Sequence, residues 1–162
     1  MDQFEKYYTL VLLQLSRRFR SEKELRDYLT KKKAPLDVIE AVIEKVQEQR
    51  FQDDEQFARW WKESRTRFKS KSDRVIKLEL RQKGIKDEII EQVMSEKTED
   101  SKTDYEKALD LARKYHKKVT ALPRQDQYRR MGAYLGRRGF DFDIIRRVID
   151  DILKTGYNND QE

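Results

Sequence analysis

The residues of this 162-residue sequence that could do chemistry are its one histidine, the aspartates Asp53-Asp54, three closely spaced glycines and a set of clustered cations. His116 is the single histidine and lies in Arg113-Lys114-Tyr115-His116-Lys117-Lys118. General acid–base work needs a partner group that orients the base, and none is recognisable, so His116 reads as a solvated or half-buried helix residue. Asp53-Asp54 would suit a hard cation only if both carboxylates faced one site. Adjacent helix residues do not face one another, and helix capping is the expected role. Gly132, Gly136 and Gly139 follow no predicted strand, as a phosphate loop requires; close helix packing and a helix stop are expected of them instead. The sequence has no cysteine, hence no thiolate nucleophile, thiolate zinc site or disulfide framework. No catalytic residue, cofactor or metal ligand is assigned, and an enzyme is the least expected class.

The cations carry the remaining chemistry. Arg59, Lys62, Arg65, Arg67, Lys69, Lys71 and Arg74 are opposed locally only by Glu63 and Asp73, seven positive groups against two negative. Arg17, Arg18 and Arg20, Lys31-Lys32-Lys33, Lys114 with Lys117 and Lys118, Arg137-Arg138 and Arg146-Arg147 repeat the theme near helix ends. Such groups neutralise phosphates and release counterions, or meet a carboxylate-rich protein surface. A cation in a last helical turn also stabilises the helix dipole by about 0.3–1 kcal/mol, but the 59–74 run exceeds what capping needs. The candidate contact residues are therefore that run together with Arg17, Arg18, Arg20, Lys114, Lys117, Lys118, Arg137 and Arg138. Trp60 and Trp61 point about 100° apart on a helix, so one is expected in the core; for the other, a partly exposed anchor and packing against a neighbouring repeat fit equally well.

The elements that must position these groups repeat. Leu29, Leu80 and Leu135 each precede a basic turn, with Lys33, Gly84 and Gly139 four residues on. Ten residues beyond each leucine stands an isoleucine (Ile39, Ile90, Ile145), and thirteen beyond a valine (Val42, Val93, Val148). Fixed self-similarity implies stacked units, none of which buries its apolar face alone, and predicts an elongated array. Phe4, Tyr8, Val11, Leu12, Leu15 and Phe19 draw one apolar stripe along a first helix over 4–19. Ser21 and Glu24 form a capping-box signature for a second helix from Glu22, which stops before Pro35. Asp53 opens a fourth helix whose inner face takes Phe57, Trp60, Trp61 and Phe68. Gly84 ends the fifth. Residues 95–104 are the most polar stretch and read as a linker and hinge. Pro123 breaks the third unit before Tyr128, Met131 and Leu135. The fold class is all-α: nine helices as three-helix repeats over 1–50, 51–99 and 100–156, with a frayed tail at 157–162. Lysine and arginine outnumber acids 37 to 31, a net charge of +6, and no single repeat is the basic one. There is neither a signal segment nor a run of about 18 apolar residues, so a cytoplasmic protein without membrane contact is expected.

Ser21-x-x-Glu24-Leu25, Phe51-x-Asp53-Asp54-x-x-Phe57-Ala58, Glu79-Leu80-x-x-Lys83-Gly84-Ile85 and Leu135-x-x-Arg138-Gly139-Phe140 stand in one order. Together they resemble the signature of the RecX family, bacterial regulators of the RecA recombinase, over about residues 5–154. Two departures are visible: Lys71-Ser72-Asp73 replaces a glycine common in the family ahead of the fifth helix, and the first repeat has Lys33 where the others have glycine. The resemblance implies three tandem three-helix repeats in a curved, monomeric protein that lodges in the groove of RecA filaments on single-stranded DNA. It further implies inhibition of RecA ATPase, strand exchange and co-protease action, hence a place in DNA repair, recombination and the SOS response. The alternative from the residues themselves is a basic helical module that binds single- or double-stranded DNA, or RNA, directly. A helical scaffold for other protein partners is a third reading.

Overall fold

A computed structural model describes residues 2–159, with side chains to residue 154. Residues 160–162, the end of the tail expected to fray, lie outside the described residues. The described residues form nine helices: α1 (Gln3–Arg17), α2 (Glu22–Lys31), α3 (Leu36–Glu48), α4 (Asp54–Lys69), α5 (Asp73–Gln82), α6 (Asp87–Ser95), α7 (Asp104–His116), α8 (Arg124–Arg137) and α9 (Phe142–Asn159). No strand occurs among them. They divide into two compact units, Met1–Glu63 with Lys77–Glu96, and Ser64–Ile76 with Lys97–Glu162.

Local chemistry sets most helix ends. The Ser21 hydroxyl accepts from the Glu24 amide while Glu24 accepts from the Ser21 amide, the reciprocal box expected for α2. Asp53 Oδ1 accepts from the Glu55 and Gln56 amides at 2.8 and 3.2 Å, capping α4. Thr103 and Glu106 form a second capping box, so the polar stretch after α6 ends in a built helix start. Where α2 and α5 stop, Lys33 and Gly84 take φ of 62° and 78°. The Ala34 and Ile85 amides then reach back to Leu29 and Leu80 carbonyls at 3.1 Å. Gly139 repeats the left-handed turn after α8 with φ 87°.

The repeat register marks the core. Leu29, Leu80, Leu135, Val42, Val93 and Val148 are all fully buried. In the first group Tyr7 and Val11 of α1 pack with Leu25, Leu29, Ile39, Val42, Ile43 and Val46. In the last, Ala108 and Ala112 of α7 pack with Met131, Leu135, Val148, Ile149 and Ile152. Three expectations fail here. Phe19 is not in α1, which ends at Arg17, and the ring lies partly on the surface. Phe68 is on the helix surface, 78% exposed, because the buried positions of α4 are Phe57, Ala58 and Trp61 and no core continues beneath its last turn. Gly132 and Gly136 are not close-packing devices: a Cβ on either would meet Ile145 or Ile149 at 3.9–4.0 Å, ordinary contact.

Two joints of the same design tie successive three-helix groups together, one within each unit. In the first unit Asp54, the first residue of α4, accepts from the Glu22 amide at the start of α2 at 2.9 Å. Gly84 lies so close to α2 that a Cβ would be 2.7 Å from Lys23 Cβ. In the second unit Asp104, the first residue of α7, accepts from the Asp73 amide at the start of α5, again at 2.9 Å. A Cβ on Gly139 would be 1.9 Å from Val75 Cγ2. Burial raises both carboxyls, Asp54 and Asp104, above their ordinary range, against the amide hydrogen bonds that lower them.

Candidate functional site

The candidate contact residues divide into cations tied into the fold and cations that face solvent. Arg59 is tied: its guanidinium meets Glu96 at 2.8 Å and also pairs with Glu55. Lys62 donates to the Val93 and Glu96 carbonyls at 2.9 and 2.8 Å, closing the end of α6. Arg74 donates to the Gly139 carbonyl at 3.1 Å. Arg18 makes a two-pronged pair with Glu24, at 2.8 and 3.1 Å, and lies over the Trp60 ring. Arg138 stacks on Tyr134, 4.0 Å from the ring centre. These five serve packing as well as charge.

Arg17, Lys69, Lys114, Lys117, Lys118 and Arg137 are exposed and make no ion pair among the described residues. Arg67 is also exposed, while Arg20, Arg65 and Lys71 are half-buried. The 59–74 run does not act as one cluster within one unit. Arg59 and Lys62 belong to the first unit, and Arg65, Arg67, Lys69, Lys71 and Arg74 to the second. Around Arg17 the first unit also holds Arg18 and Arg20; the second holds Lys114, Lys117 and Lys118 on and beyond the last turn of α7, and Arg137-Arg138 at the end of α8.

The tryptophans divide as their angular separation requires: Trp61 is buried, donating to Glu79 at 2.9 Å, and Trp60 is half-buried. Phe57 and Trp61 stack at 5.6 Å, Trp60 meets Phe57 at 5.8 Å, and Phe19 meets Trp60 at 5.8 Å. His116 shares a 3.0 Å hydrogen bond with Gln127, whose amide nitrogen donates to the Thr120 and Leu122 carbonyls, so the ring braces the turn before α8. Among the described residues no group of three or more His, Cys, Asp or Glu could hold a metal, and no helix is long and apolar enough to cross a membrane.

One functional group escaped the sequence reading. Lys107 is buried in the second unit, its ammonium 2.8 Å from Asp73 and 3.8 Å from Asp104, with the Lys71 carbonyl at 3.4 Å. It cross-links the two helix starts that the Asp104 joint brings together.

Comparison with known proteins agrees with this architecture. Residues 8–45, 53–94 and 102–149 match, in order, the first, second and third three-helix domains of RecX. The regulatory protein RecX of Bacillus velezensis is 35% identical over 161 residues, covering 99% of this chain and 59% of its own length. That of Bacillus subtilis is 32% identical over 161 residues, with the same coverage of both chains. The chain thus spans about 59% of these relatives. The crystal structure of RecX from Lactobacillus salivarius has a TM-score of 0.75 at 28% identity, covering 93% of this chain and 96% of that one. Three family domains in sequence, filling most of a nine-helix chain whose joints fall between them, place it: the chain belongs to the RecX family.

Proposed function

We propose that this chain is a non-enzymatic cytoplasmic regulator of RecA, acting as a monomer on the RecA–DNA filament and blocking its extension or promoting its disassembly. The observation that carries the reading is the set of solvent-facing cations without ion-pair partners, recurring in both compact units of a RecX-family chain. A filament of protein on single-stranded DNA offers phosphates and acidic surface at regular intervals. Three helical repeats over 1–50, 51–99 and 100–156, each bearing cations, supply matching contacts along it. Lys69, Lys114, Lys117, Lys118 and Arg137 are the residues assigned to that surface, with Arg17 at the first repeat.

The test is the ATPase rate of RecA on single-stranded DNA with this protein added below stoichiometry. A fall in rate that deepens with the ratio is the expected result; an unchanged rate at every ratio overturns the reading. Reversing Lys69, Lys114 and Lys117 together should restore the rate while leaving the melting transition in place, because these positions are exposed and lie off the buried faces.

A further inference from the structure

Seven residues before the buried leucine of each repeat stand Glu22, Asp73 and Tyr128. In the first two groups that residue opens the middle helix, and its amide seats the carboxylate of Asp54 or Asp104 while a glycine turn lies against the same helix start. The third group changes this seat. Helix α8 begins one turn earlier, at Arg124, so the Tyr128 amide is bonded inside the helix and cannot take a carboxylate. An open cleft of about 550 Å³ lies there instead, lined by Arg124, Gln125, Tyr128 and Arg129. Arg129 holds the register position of Lys23 and Arg74. Its pair with Asp126, at 3.2 Å with the arginine 72% exposed, is of the kind worth little in water.

A second register match carries the same charge signal. Arg26 pairs with Glu40 at 2.6 Å and Lys77 with Glu91 at 3.0 Å, each joining the middle helix of its group to the third helix. In the last group those two positions are Gly132 and Arg146. The acid is gone, and its place holds a cation, exposed and without an ion pair among the described residues. Helix α8 carries four arginines against one acid, Asp126, where α2 balances three cations with three acids. Arginine forks match carboxylates with two parallel hydrogen bonds. Phosphate would satisfy the same forks, but the two filled seats of this fold each hold a carboxylate beside a close backbone turn, which is what a polypeptide brings.

We propose that the cleft at the start of α8 docks an acidic segment of a partner protein, whose aspartate or glutamate meets Arg124 and Arg129 in the place that Asp54 and Asp104 hold in the earlier groups. Neither arginine belongs to the surface assigned above to the filament, so this docking stands independently of that reading. The full chain is titrated into fluorescein-labelled hexaglutamate at low salt, with anisotropy as the readout and neither recombinase nor DNA present. Arg124→Ala with Arg129→Ala should weaken binding about tenfold. Lys31→Ala with Lys86→Ala removes the same charge from exposed positions of the first unit and should change it by less than about twofold. Arg124→Lys with Arg129→Lys keeps the charge and should recover only part of the affinity, because an ammonium cannot fork. The side-chain Nε–Hε signals of Arg124 and Arg129 should move first in an NMR titration, which locates the contact without any substitution. Equal losses in the two alanine pairs, or signals that move first elsewhere, would overturn the inference. So would a repeat with labelled hexathymidylate in which the Arg124 and Arg129 pair costs as much affinity as with hexaglutamate, because the cleft would then read phosphate rather than carboxylate.

Discussion

The buried hydroxyl of Ser72 donates a 2.8 Å hydrogen bond to the carbonyl of Gly139, sixty-seven residues along the chain. The Ser72 amide donates to the Arg138 carbonyl at 3.3 Å, and the same hydroxyl accepts from the Val75 amide, capping α5. One serine therefore starts a helix and holds the turn of the next three-helix group against it. Replacing it with alanine removes the cap and the cross-link while Arg74 still donates to Gly139. The expected loss is about 1–2 kcal/mol in chemical denaturation.

The joint explains why the repeated turn has glycine twice and lysine once. All three residues share the left-handed backbone, but Gly84 and Gly139 also face the first turn of a preceding middle helix, and Lys33 does not. Gly139→Ala places a methyl against Val75 on a left-handed backbone and should cost about 3 kcal/mol, from strain and overpacking together. Lys33→Gly relieves strain without opening a contact. It should be neutral or stabilise by up to about 0.5–1 kcal/mol, and the pair of denaturation curves separates the two causes.

Helix α8 carries the opposite case. Gly132 sits in its interior with room for a methyl group beside Ile145 and Ile149. Gly132→Ala should raise stability by about 1 kcal/mol through helix propensity alone, seen as a higher midpoint with an unchanged denaturant slope.

Acid should loosen the first joint through Glu24. Burial would raise its carboxyl, but hydrogen bonds from Arg18 and Lys83, with the Ser21 amide, outweigh that and hold it at about 2, below its ordinary 4.5. The unfolded chain therefore binds this proton more readily than the folded one. The stabilisation is full above about pH 4.5 and fades as pH falls towards 2. Stability measured across that window should fall steeply in the parent and less so in Glu24→Gln, which starts lower at neutral pH. Equal slopes would place the acid sensitivity elsewhere.

Helix positions and the Leu, Ile and Val register were legible because helical periodicity and capping are local. Ser21 with Glu24, Asp53, and the leucines before each turn state their roles within a few residues. Phe19 and Phe68 were misplaced because periodicity names a face of a helix, not where the helix stops or whether anything covers it. The cations were legible by type but not by use: Arg59 and Lys62 find their partners at the end of α6, more than thirty residues on. Lys107 carries no local signal of its role and is buried because Asp73 and Asp104 converge on it from separate helix starts.

Helices α4 and α5 each lie partly in one compact unit and partly in the other, the boundary crossing them after Glu63 and after Ile76. During synthesis, residues 64–76 leave the ribosome well before the 97–162 segment that completes their unit. At about 5–20 residues per second the interval lasts seconds, during which the middle of the chain holds a started helix and no finished core. Chaperone contact in the cell should therefore concentrate on the second repeat, and a fragment stopped after the sixth helix should keep that vulnerability permanently.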